Sequence, residues 1–71
     1  QAEIIDTIVT SNSGVAGRSL SEIDFPRGAL LGAIVRGDEL IIPDGNSVIE
    51  PGDNVIIFAA TETLPRLEKL F

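Results

Sequence analysis

The side chains of this sequence that could do chemistry are carboxylates and guanidiniums, because it contains neither histidine nor cysteine. Without histidine, the commonest general base, the commonest metal ligand and the usual switch near neutral pH are all missing. Without cysteine, disulfides and thiolate zinc sites are excluded, and the redox compartment cannot be read. Acids dominate what remains, with 11 Asp and Glu against 5 Lys and Arg. Asp38-Glu39, Asp44 and Asp53 all fall in turns between strand-like runs. A calcium loop needs D-x-D/N-x-D/N-G closed by a glutamate, and Asp44-Gly45-Asn46 breaks that spacing. Paired carboxylates could also move protons, but nothing in their order brings two into one cleft. They are therefore expected as solvated turn acids, with no metal site, no catalytic residue and no enzymatic activity.

Arg18, Arg27 and Arg36 are the other candidates. A guanidinium is a planar fork, suited to a small anionic ligand. The alternative is that each pairs with a nearby acid, such as Arg36 with Asp38 or Glu39. Gly14 and Gly17 lie in a loop over residues 12–17, but their spacing matches no phosphate-binding glycine pattern, so turn chemistry is expected there. The net charge of -6 disfavours nucleic acid and anionic lipid as partners.

These groups must be positioned by a small set of elements. Residues 28–43 read as two apolar arms, 29–35 and 40–42, joined at Gly37-Asp38 and closed by Pro43. Glycine in the first central position suits a type II′ turn. Residues 3–11 read as a strand with Ile4 and Ile8 on one face and Ile5 and Val9 on the other, so it is expected to be central or covered on both sides. Ser19-Leu20-Ser21-Glu22 is a capping box that starts a short helix, which Pro26 stops, and Phe25 is expected as a core plug. Turns at 43–46 and 50–53 bracket a short extended piece, and the second has the Pro-Gly order of a type II turn. Residues 54–60, N-V-I-I-F-A-A, read as a central strand. A last helix follows, capped by Thr61 or Thr63, with Pro65 in its first turn and a stripe of Leu64, Leu67 and Leu70 or Phe71. The fold class is α+β: a mostly antiparallel sheet with a central hairpin, a short helix and a C-terminal helix.

A chain of 71 residues makes one domain, 1–71, and a core this small gains from a partner surface, so a homodimer is expected. The apolar fraction of 44% argues against disorder. No apolar run approaches the length of a membrane span. No signal peptide is visible, but the chain reads as a domain excised from a longer one, so that carries no weight.

The pattern resembles a known family. The segment G-V-A-G-R-S-L-S-E-I-D-F-P over residues 14–26 leads into G-A-L-L-G-A-I-V-R-G over 28–37. Then come I-I-P at 41–43, I-E-P-G-D-N-V-I-I-F at 49–58 and L-E-K-L-F at 67–71. Together these resemble the TrkA C-terminal, or RCK C-terminal, domain family, most of all the members that serve bacterial Trk potassium uptake. The resemblance implies a cytoplasmic regulatory domain, held near the inner face of the membrane through a potassium transporter or other carrier subunit. It implies ligand sensing and subunit assembly. The alternatives are the sensor of another carrier, or a pure dimerisation module without ligand. It implies no cofactor in these residues, since NAD or ATP belongs to an adjoining nucleotide-binding domain. Some members hold cyclic di-adenylate in the dimer cleft with an arginine before the hairpin and an asparagine in its first arm. Asp24 and Leu30 stand at those positions here; neither can serve a phosphate, and Arg27 is the nearby substitute. The cleft is expected where Leu30 and Leu31 meet their copies, with Arg27, Arg36 and Pro43 at its rim. Weak or absent binding of cyclic di-adenylate is the expectation.

Overall fold

A computed structural model describes residues Gln1–Phe71. Its frame is one four-stranded antiparallel sheet in the order β1-β4-β2-β3, where β1 is Ala2–Ile8, β2 Ala29–Arg36, β3 Glu39–Ile41 and β4 Asn54–Ala60. The strand nearest the end of the chain is thus interior, paired with β1 on one side and β2 on the other. That position follows from its composition, a run of Val, Ile, Phe and Ala with no charge to exclude it from the middle of a sheet. The β2–β3 hairpin turns at Gly37, whose φ is +62°, while Asp38 is not in the positive-φ region. Positive φ at the first central residue alone is the type II′ signature.

Side chains alternate across β4. Val55, Ile57 and Ala59 are buried, whereas Ile56 and Phe58 point the other way. The buried face joins Leu31 and Ile34 of β2, and it is covered by Val9, Val15, Ile23, Ile49 and Leu67. Leu67 comes from helix α1, Leu64–Leu70, entered through a 3-10 turn at Thr61–Thr63. Pro65 sits in the first turn as expected, but the Thr63 hydroxyl donates back to the Ala60 carbonyl at 2.7 Å instead of capping the helix. The capping box at Ser19 is present, and it starts only a 3-10 turn, Leu20–Glu22, which ends before Pro26 is reached. Phe25 packs edge-on against Phe71 with ring centroids 6.2 Å apart, tying that turn to the end of α1. No helix is long and apolar enough to cross a membrane.

One expectation fails in an informative way. β1 is an edge strand covered on one face only: Ile5 and Thr7 turn inward, while Ile4 and Ile8 are exposed. Apolar residues on both faces of a strand signal cover from somewhere, and within this chain only one face receives it.

Candidate functional site

The acids and arginines resolve into two kinds. Val35 pairs with Asn54 across the β2–β4 ladder, so the next positions outward, Arg36 and Asp53, come together at the end of the sheet. Asp53 is 1% exposed. Its carboxylate accepts from Arg36 Nε and Nη2, both at 2.9 Å, and from the Glu50 backbone N–H at 2.9 Å. Arg36 Nη2 also donates to the Val48 carbonyl at 3.0 Å, and Nη1 lies 3.5 Å from Glu50 Oε2. The Asp53 backbone takes part as well: its N–H donates to the Glu50 carbonyl, and its own carbonyl accepts from Val9 N–H at 2.8 Å. The bidentate bond from Arg36 holds the Asp53 carboxyl below the ordinary carboxylate range against the opposing effect of burial. Asp53 is therefore not a solvated turn acid, and Arg36 does not pair with Asp38 or Glu39. Both are committed to joining β2, β4 and the loops at residues 9 and 48–50. With the Asp53 carboxylate and Arg36 Nε and Nη2 engaged in hydrogen bonds, this pair is a structural knot.

The opposite face of the sheet is open. Ile4, Phe58 and Leu30 lie in register across β1, β4 and β2, forming an apolar row. Val35 and Leu40 continue the face across β2 and β3, and Ile42 extends it; Leu40 and Ile42 are among the exposed large apolar residues. The β2 ladder slips between Leu31 and Ala33, placing Gly32 at a bulge under the Phe58 ring. A Cβ at Gly32 would run into that ring, so only glycine lets the aromatic side chain lie flat there. Phe58 keeps 45% of its surface and Leu30 65%. Contiguous apolar surface on this scale marks an interaction site more often than chance exposure does.

At the edge of that face Leu20, Phe25, Ala29, Leu30, Leu31 and Pro43 line a shallow recess of about 240 Å³. Leu30, Leu31 and Pro43 are thus brought together. Leu30 and Leu31 have different duties, however: Leu31 is 7% exposed and belongs to the core. Arg36 is drawn away to Asp53. Arg27 lines a separate recess beside α1. No cluster of three or more potential carboxylate ligands forms. Sequence reasoning passed over Ile4, Ile56 and Phe58 as sheet interior; only the strand order shows that their side of β4 is uncovered.

Comparison with known proteins agrees with this architecture. The family model of the TrkA-C domain matches residues 5–71. The Trk system potassium uptake protein TrkA homolog 2 of Methanosarcina mazei is 44% identical over 71 residues, which is 100% of this chain and 16% of that protein. The chain therefore spans about one sixth of the length of the curated relatives it matches. The RCK C domain of the potassium transport protein KtrA, solved with cyclic diadenosine monophosphate, superposes with a TM-score of 0.81 at 32% identity, covering 100% of this chain and 85% of that one. The RCK_C domain dimer of S. agalactiae BusR, also with that nucleotide, gives 0.78 at 26% identity, covering 94% of this chain and 86% of that one.

Proposed function

The chain belongs to the TrkA-C domain family, and on that premise we propose that it is a cytoplasmic, non-catalytic regulatory domain of a potassium transport system, acting through self-assembly and ligand sensing. The observation that carries this reading is the open apolar face of Ile4, Phe58, Leu30, Val35, Leu40 and Ile42. In water each exposed aliphatic group is unfavourable by roughly 25 cal/mol per Å², so a second copy laid on the face stabilises both. The relation to the BusR RCK_C dimer makes a second copy the natural cover. The Leu30 recess then lies at the margin between subunits. A ligand there favours one arrangement of the pair, and shifts the equilibrium by no more than its differential affinity for the two arrangements. Nucleotide cofactors, if the longer protein uses them, bind outside these residues.

The KtrA relative holds cyclic diadenosine monophosphate. Here the recess is apolar at Leu30, and the neighbouring loop presents the carboxylate of Asp24. This domain therefore binds that nucleotide weakly or not at all, while Leu30→Asn combined with Asp24→Arg raises the affinity.

The test is sedimentation and calorimetry on the same samples. A dimer at micromolar concentration that Phe58→Asp converts to a folded monomer supports the assembly. A monomer at all such concentrations removes it. Sub-micromolar binding of the nucleotide by the unmodified chain overturns the role given to Leu30.

A further inference from the structure

Three of the chain's 5 cations, Arg27, Arg66 and Lys69, line one recess of about 550 Å³. Asp24, Phe25, Pro26 and Leu70 complete it. We propose that this recess, which adjoins the Leu30 recess through Phe25 and carries Asp24 on its rim, binds a small phosphate-bearing anion. The proposal does not depend on the assembly described above.

Charge carries the argument first. The chain as a whole has a net charge of -6, and each ion pair in the structure is made by Arg36. Arg18 is spent on the carbonyls of Gly14 and Glu22. Arg27, Arg66 and Lys69 make no ion pair and no side-chain hydrogen bond, although acids outnumber them. Against them the recess sets only the Asp24 carboxylate, leaving an excess of two positive charges. A phosphate monoester carries about -1.5 to -2 near neutral pH, which matches.

Geometry carries it second. Arg66 and Lys69 are three apart on α1 and share one side of the helix, and Arg27 faces them from the loop before β2. The cations thus converge from two elements that the Phe25–Phe71 contact holds together. Guanidinium forks and an ammonium together suit the spread oxygens of a phosphate better than a single carboxylate. Phe25, Pro26 and Leu70 add an apolar wall against which the rest of an ester can lie, and the volume falls within the usual small-molecule range of about 300–1,000 Å³. Phe25 is the one residue lining both this recess and the Leu30 recess, so occupancy here bears on the margin of the sheet face.

The experiment is an amide NMR titration of the 71-residue chain at low salt, with inorganic phosphate in one arm and phenyl phosphate in the other. Saturable shifts confined to residues 24–28 and 66–70, with phenyl phosphate the tighter probe, are expected. Arg66→Gln and Lys69→Gln, both at exposed positions, should each weaken binding about tenfold, Asp24→Asn should strengthen it, and Arg18→Gln should leave it unchanged. Equal affinity for phosphate and phenyl phosphate would remove the apolar wall from the site. Non-saturating shifts, equal loss on Arg18→Gln, or shifts that track self-association of the chain would overturn the proposal, the last pointing instead to an acidic surface of another copy as the occupant.

Discussion

The two faces of the sheet are built from the same kinds of residue and meet different fates. Ile57 and Phe58 are neighbours in β4, yet Ile57 is 1% exposed under the loops and α1 while Phe58 looks outward. Hydrophobicity therefore does not decide which face is the core of this chain. The connections decide it: the segment between β1 and β2, the 43–53 loop and α1 all cross the same side. The face they leave is uncovered, so its side chains are expected to change at little cost to the fold.

Substituting across this boundary is the most direct way to break the comparison. Ile57→Asp places an unpaired carboxylate in the core and should destabilise the fold by more than about 4 kcal/mol, read as loss of the cooperative urea transition. Phe58→Asp, one residue on, should leave the transition in place and abolish only self-association. If both variants unfold, the two faces are not separable in the way described.

A smaller effect is expected at the knot. Asp53→Asn keeps the shape but loses the charge facing Arg36 and turns an amide NH2 toward N–H donors that the carboxylate served, and should cost about 2–3 kcal/mol at neutral pH. The sign of its pH dependence follows from the lowered Asp53 value. A carboxyl depressed in the folded state adds stability above its unfolded value, and that stability is lost as pH falls through the folded value. Wild type and variant should therefore begin to converge in thermal melts as pH falls below the ordinary aspartate value of about 4, and meet only below the lowered folded value. A gap that persists at acid pH would mean that hydrogen-bond geometry, and not charge, holds the loops.

The smallest effect belongs to Leu30→Asn, which should change monomer stability by less than about 0.5 kcal/mol. Leu31→Ala, on the other side of the same strand, should cost about 2–3 kcal/mol. Chemical denaturation of the pair measures how sharply β2 divides the two environments.

The sequence made most of the elements legible, since alternation, proline, glycine and the capping box are local signals. The II′ turn at Gly37, the Pro-Gly turn before Asp53 and the leucine stripe of α1 could be read directly. Two things could not. The partner of Arg36 lies 17 residues away and is chosen by the β2–β4 register, whereas local reading favours the acids next door. The bare face of β1 depended on strand order, which periodicity does not encode. Arg66 and Lys69 carry no local signal of a site; the packing of α1 beside the loop before β2 is what gathers them with Arg27.

The interior place of β4 has a consequence for how the molecule comes into being. Ala2 pairs with Ala60, so β1 has no sheet partner until residues 54–60 have been made. β2 and β3 can close a hairpin early, but a two-stranded ribbon alone is marginal in water. The strand that joins β1 to this hairpin is the last of the four in the chain, and long-range closure of this kind slows folding. Assembly of the sheet thus waits for Asn54–Ala60, and a chain made only as far as residue 53 holds β1 and the β2–β3 hairpin with no strand to join them.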